Sequence, residues 1–104
     1  MKPTVKQEVL ASFFNALAHP RRQMIFQVLR EIGREGMPYG RLQARTGLTR
    51  ATLSFHLGKM GEGQILNRKV KGQETWYSLN LSPFSLFSAP ISTPVKPSNY
   101  RKTA

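Results

Sequence analysis

The sequence predicts a mainly α-helical domain completed by a small β-hairpin. Three observations carry that reading. Apolar residues recur at helical spacing between residues 5 and 61, proline and glycine cut the pattern into four pieces, and two β-branched or aromatic runs flank a glycine turn near residue 72. The chain has 104 residues, of which 39% are hydrophobic. That length allows one core, and the apolar share is enough to fill it.

Residues 5–17 form the first expected helix. Val5, Val9, Phe13 and Leu17 recur every four residues, and Leu10 and Phe14 widen the stripe. Two adjacent phenylalanines exceed what one narrow buried face needs. They read either as core or as a face partly turned to another subunit. His19-Pro20 interrupts the pattern, and a second helix begins there because proline suits a helix's first position. Ile25, Val28, Leu29 and Ile32 give it one apolar face, and Gly33 and Gly36 end it. Arg21 and Arg22 lie in its first turn. The helix dipole does not favour cations there, so phosphate contact is their expected role.

Met37-Pro38 restarts the chain. Tyr39 to Thr46 makes a short third helix anchored by Leu42. After Gly47-Leu48-Thr49 a fourth helix runs from Arg50 to about Gly61, with Thr49 as N-cap and Leu53, Leu57 and Met60 as its buried stripe. Residues 65–71 and 75–79 read as a two-stranded hairpin, with Gly72 supplying positive φ in the turn. From Ser82 the composition changes, with four prolines and five serines in the last 23 residues. A short helical turn through Phe87 and an extended course beyond Ile91 are expected. The chain thus divides into a folded domain over 1–81 and a basic Pro/Ser-rich tail over 82–104.

Lysine and arginine number 16 against five acids, a net charge of +11. Such a surplus implies a polyanionic partner: nucleic acid first, then a membrane surface or a ribosomal assembly. All five acids are glutamate. That scarcity argues against Mg or Ca sites and against a paired-carboxylate hydrolase. The absence of cysteine excludes disulfides and thiolate metal sites. No apolar run reaches the ~18 residues of a membrane span, and the first residues lack a signal-peptide apolar stretch, so a cytoplasmic location is expected. No nucleophile elbow, Gly-rich phosphate loop or acid pair occurs; the expectation is that the protein is not an enzyme and needs no cofactor.

Residues 39–46 and 50–61 have the spacing of a helix-turn-helix, with Gly47 in the turn and Leu48 as an apolar plug. Such a pair can place its second helix in the ~12 Å major groove of DNA, with the hairpin as a wing beside it. With Leu53 and Leu57 inward, Ala51, Phe55 and Gly58 face outward, flanked by Thr52 and Lys59. Arg50 opens the helix, where it can fork onto a guanine edge, and Ser54 and Thr52 can donate to phosphates or bases. Phe55 can touch a thymine methyl or be partly buried.

At this point the chain resembles the ArsR/SmtB winged-helix repressors. Residues 16–20 (Ala-Leu-Ala-His-Pro) with Arg22, residues 47–57 (Gly-Leu-Thr-Arg-Ala-Thr-Leu-Ser-Phe-His-Leu), and residues 72–79 with Tyr77 and Leu79 carry the resemblance. It covers residues 10–80. It implies a homodimeric, cytoplasmic transcription regulator, a winged helix-turn-helix of four helices plus a two-stranded wing, with base-reading positions at Arg50, Ala51, Ser54 and Phe55. His56 is the motif histidine. With only one other histidine and no acid at ligand spacing, it reads as hydrogen-bonded within the fold, and His19 as a helix-start residue.

The departures from the family are informative. Many members sense metals through cysteine pairs on the third helix, where this chain has Pro38-Tyr39-Gly40, or through His and acids on the last helix, where residues 82–104 have neither. No metal site is expected. The last helix usually helps to form the dimer, and here prolines truncate it. Dimerisation is then expected from Val9, Leu10, Phe13, Phe14 and Leu17, with Phe84, Leu86 and Phe87 adding to it. In the wing, Gln73 stands where members often carry Arg, and Lys69 and Lys71 precede the turn.

The DNA-contacting set expected from the sequence is therefore Arg21, Arg22, Arg50, Ala51, Thr52, Ser54, Phe55, Lys59, Lys69, Lys71 and Gln73. The function expected is that of a dimeric, sequence-specific DNA-binding repressor acting on a double-stranded operator, with the existence of a small-molecule inducer left open. Two alternatives stand beside it: a basic architectural DNA- or RNA-binding protein, and a winged helix used for protein contact, as in an antirepressor.

Overall fold

Helix α1 (Val5–Ala16) begins where Thr4 closes a capping box. The Thr4 hydroxyl accepts from the Gln7 amide at 3.1 Å, and the Gln7 side chain accepts from the Thr4 amide at 2.9 Å. Helix α2 (Pro20–Ile32) has proline at its first position and His19 as N-cap, whose Nδ1 accepts from the Arg21 amide. Helix α3 (Tyr39–Thr46) ends on Gly47, which is left-handed at φ 71°. Helix α4 (Arg50–Glu62) starts from Thr49, whose hydroxyl accepts from the Thr52 amide. The computed structural model describes residues 1–85.

The hairpin consists of β2 (Leu66–Lys71) and β3 (Glu74–Leu79), joined through Gly72 at φ 62°. One expectation needs correction. The sheet has three strands, not two: β1 (Met37–Pro38) pairs antiparallel with β3, giving the order β1-β3-β2. Met37-Pro38 does more than restart the chain. Met37 is fully buried opposite Tyr77, and Pro38, which has no amide to donate, sits on an edge strand opposite Trp76. Proline signalled a break in the sequence, and a two-residue strand is too short to show alternation. Gly36, at φ 73°, brings the chain into this edge. A Cβ there would collide with the Tyr77 carbonyl.

The core joins all four helices to the sheet. Phe13 and Ala16 of α1, Ile25 and Leu29 of α2, Leu42 of α3, and Leu53, Leu57 and Met60 of α4 are buried, together with Met37 and Ile65. Tyr77 and Leu79 pack against them from β3. Gly63, just past α4, lies so close to α1 that a Cβ there would come within 2.6 Å of both the Ala16 Cβ and the Ser12 carbonyl. The α4–α1 junction therefore excludes a side chain. The α3–turn–α4 pair has the spacing expected from sequence. A short 3-10 turn (Ser82–Phe84) follows the sheet. The expected tail conformation, the helical turn as far as Phe87, and Phe87 as a dimer contact lie outside the described residues.

Candidate nucleic-acid interface

The outward side of α4 carries Arg50, Ala51, Ser54, Phe55, Gly58 and Lys59, all exposed, while Leu53, His56, Leu57 and Met60 face in. Phe55 is 57% exposed, a large apolar ring left in solvent. Thr52 is half-buried; its hydroxyl accepts from Thr49 at 3.0 Å and so belongs to the helix cap. Lys59 lies one turn beyond Phe55, 5.7 Å from its ring centre and 3.8 Å from Glu62.

Tyr39 braces the start of α4. Its phenol donates to the Arg50 carbonyl at 3.0 Å and lies 2.8 Å from the Ser54 hydroxyl oxygen. The Arg50 guanidinium stands 5.8 Å from the Tyr39 ring centre, and the Tyr77 ring lies 6.4 Å away on another side. A cleft of about 310 Å³ opens here between α4 and the wing, lined by Tyr39, Arg50, Ser54, Gln73, Glu74 and Tyr77 among others. Gln73 thus lines one cleft with Arg50 and Ser54.

Strand alternation divides the wing into two faces. Lys69 pairs with Trp76, and the Lys71 ammonium stacks 4.1 Å from the centre of the same ring. These three side chains share the face turned away from the core. Arg68 pairs with Tyr77, and Leu66 with Leu79, on the face that looks toward the helices. Arg68 lines a second groove with Ser54, Leu57, Gly58 and Gly61 of α4. The wing cation beside α4 is therefore Arg68, with Lys69 and Lys71 on the other side of the sheet. The sequence reading missed Arg68. The signal was present: it stands two residues from Leu66, and residues two apart on a strand share a face.

Arg22 does not fit the expected phosphate contact. It is 9% exposed and turned inward. Its Nε donates to the Ala16 carbonyl at 2.9 Å and Nη2 to the Asn15 carbonyl at 3.3 Å, while Nη1 lies 3.4 Å from His56 Nδ1. The reason is electrostatic. The last carbonyls of α1 lack partners in their own helix and carry the negative end of its dipole, so a buried guanidinium caps them. Sequence position correctly puts Arg22 at the start of α2 but does not show that the fold brings the end of α1 to it. Arg21 remains exposed.

His56 is buried and accepts from Arg22, so its proton is placed on Nε2. The His19 ring lies 4.5 Å away. Burial, and then the neighbouring charges of His19, Arg22 and Arg21, hold the His56 imidazole below its ordinary value of 6.5. Both histidines thus serve the fold, His19 as a cap and His56 as an acceptor. Among the described residues no three His, Cys, Asp or Glu side chains stand together to hold a metal ion. No described helix is long and apolar enough to cross a membrane.

Of the expected dimer residues, Phe13 is 2% exposed within a single chain, edge-on to Phe14 and beside Phe84. It is core. Phe14 and Phe84 are 46% and 45% exposed, and Val9, Leu10 and Leu17 are half-buried.

The helix-turn-helix domain family matches residues 17–68, which span α2, β1, α3, α4 and the start of β2. The chain belongs to this family. Its architecture is the ArsR-type winged helix-turn-helix. The nodulation protein NolR of Rhizobium meliloti is 32% identical over 71 residues, covering 68% of this chain and 56% of that protein. The chain therefore spans little more than half the length of that relative. The crystal structure of NolR from Sinorhizobium fredii superposes with a TM-score of 0.63 at 28% identity, covering 86% of this chain and 93% of that one. A homodimeric winged helix-turn-helix DNA-binding domain from Mycobacterium bovis, described as a possible ArsR-family transcriptional regulator, gives a TM-score of 0.66 at 22% identity. That match covers 81% of this chain and 76% of the other.

Proposed function

We propose that the protein is a sequence-specific DNA-binding transcriptional regulator. It acts in the cytoplasm as a homodimer on a palindromic operator and represses by occluding a promoter. One observation carries the reading: the exposed edge of α4 borders two clefts against the wing, one shared with Gln73 and the other with the wing's inward-facing cation, Arg68. A helix laid in the major groove would put Arg50, Ala51, Ser54 and Phe55 at base edges. Arg68 and Gln73 would then meet the flanking backbone or the minor groove. Arg21 would add a peripheral phosphate contact, and Lys59, Lys69 and Lys71 would contribute mainly to the general positive field. A palindrome needs two recognition helices about 34 Å apart, which a dimer supplies. The names of the NolR relative and of the homodimeric mycobacterial domain point the same way. Control by a bound metal is not part of this reading, since cysteine is absent and both histidines serve the fold.

The test is binding of the purified protein to genomic fragments and to random duplex over a range of salt. Selective binding with a steep salt dependence supports the regulator. Arg50→Ala should narrow the gap between selected and random DNA by about 1–3 kcal/mol, as loss of a bidentate base contact would. Equal affinity for all fragments would instead show an architectural protein. Absence of DNA binding would show a protein-contact module.

A further inference from the structure

We propose that Tyr39 fixes the hydrogen-bond polarity of Ser54, turning its hydroxyl into an acceptor that reads an exocyclic amino group, adenine N6 or cytosine N4, in the major groove. The inference rests on the DNA-reading role proposed for α4 and adds the chemistry of one contact. It follows from counting protons. The Tyr39 phenol has one, and the Arg50 carbonyl, 3.0 Å from it, can only accept. The Tyr39 proton is therefore committed to that carbonyl. The 2.8 Å contact between the Tyr39 and Ser54 oxygens then needs the Ser54 proton. Ser54 also has one proton, and it points inward to Tyr39. Its outward side presents lone pairs alone.

The reversed arrangement, with Tyr39 donating to Ser54, leaves the phenol and carbonyl oxygens 3.0 Å apart with no proton between them. It makes one hydrogen bond where the first makes two. The phenol cannot easily swing away. Tyr39 follows directly on Pro38, which is paired to Trp76 in the sheet, and its ring is flanked by Tyr77 and by the Arg50 guanidinium. The sheet thus holds Tyr39, and Tyr39 holds Ser54.

An acceptor-only hydroxyl on a recognition helix discriminates sharply. Guanine O6 and N7, thymine O4 and phosphate oxygens are themselves acceptors and would meet Ser54 lone pair to lone pair. Adenine N6 and cytosine N4 are donors and would complete the chain of hydrogen bonds from base to Ser54, Tyr39 and the backbone of α4. Tyr39 is a positioning residue in this arrangement, acting on DNA through Ser54.

The test uses the full chain and a randomised duplex library, selected with the wild type, Tyr39→Phe, Ser54→Ala and the double variant. Tyr39→Phe keeps the ring and removes the oxygen, and Ser54 is exposed, so both variants should fold. The wild type should enrich one base pair at one position of each half-site, and that preference should depend on the amine the pair presents in the major groove. Each single variant should flatten that position and leave the Arg50-dependent positions alone, and the double variant should add nothing further. Replacing the selected base by an analogue without the amine, purine for adenine or pyrimidin-2-one for cytosine, should weaken the wild type about tenfold and leave Ser54→Ala unaffected. A purely structural role for Tyr39 would weaken binding at all positions instead. An amine-free analogue that the wild type binds as tightly as the selected base, or a Tyr39→Phe preference identical to the wild type, overturns the proposal while leaving the regulator reading intact. Absence of any enrichment by the wild type overturns both.

Discussion

Replacing Arg22 by alanine should destabilise the protein far more than replacing Arg21, its neighbour in sequence. The Arg22 guanidinium makes one short bond to the Ala16 carbonyl, at 2.9 Å, and two long ones, to Asn15 and His56, at 3.3 and 3.4 Å. A hydrogen bond from a charged donor contributes about 1.5–3 kcal/mol, and the two stretched contacts are weaker. Removal also leaves the Ala16 carbonyl and His56 Nδ1, both in residues at most 3% exposed, without their donor. The expected cost is about 3 kcal/mol, which lowers the melting temperature by roughly 12 °C or more for a domain of this size. Arg21 is exposed, and its substitution should stay within about 0.5 kcal/mol. Urea denaturation of wild type, Arg21→Ala and Arg22→Ala measures both, with the slope showing whether the folded state is otherwise preserved. Arg22→Lys should recover only part of the loss, because one ammonium cannot span three acceptors in the geometry of a planar fork. A difference below 1 kcal/mol between the two alanine variants would refute the capping role.

Three other outcomes are expected. Arg68→Ala should lower the salt slope of DNA binding by about one, whereas Lys69→Ala, on the opposite face of the wing, should change it by less than half as much. Stability should fall on acidification: the folded His56 pKa is depressed, so below about 6.5 the unfolded chain takes up the proton first, and stability present above that value is lost as pH drops through the folded pKa. His56→Asn should remove that part of the pH dependence in thermal melts, and an unchanged profile would count against it. Phe14→Asp should shift the protein toward monomer in light scattering while it stays folded, whereas Phe13→Asp should unfold it, since only the second ring is core. A folded Phe13→Asp protein would contradict the packing described for α1.

Much of the helical part could be read from the chain itself because its signals are local. Proline at the start of α2, threonine before α4, left-handed glycine after α3 and apolar spacing each act within a few residues. The third strand was not legible, since two residues show no period and their hydrogen bonds go to a strand nearly 40 positions away. The candidate site divides in the same way. Ala51, Phe55 and Gly58 could be assigned to the outer side of α4 because helical geometry alone relates them to Leu53 and Leu57, whereas Ser54 was placed there only by the family resemblance.

Composition, helical period and capping residues determined by themselves that this chain makes four helices and a hairpin, with one edge of the fourth helix left exposed. Only tertiary structure decided what the individual side chains do. Arg21 and Arg22 are adjacent and chemically identical, yet one faces solvent and the other caps the end of α1, because the α1–α2 turn carries those carbonyls back over the start of α2. Lys69 and Arg68 are likewise adjacent, and strand pairing sends them to opposite faces of the wing. Tyr39 begins one helix and braces the next, through bonds spanning 11 and 15 residues. Local sequence sets which conformation a segment takes. The partners of a polar group are set by where distant segments come to rest, and a buried charge or a shared proton has no meaning until they do.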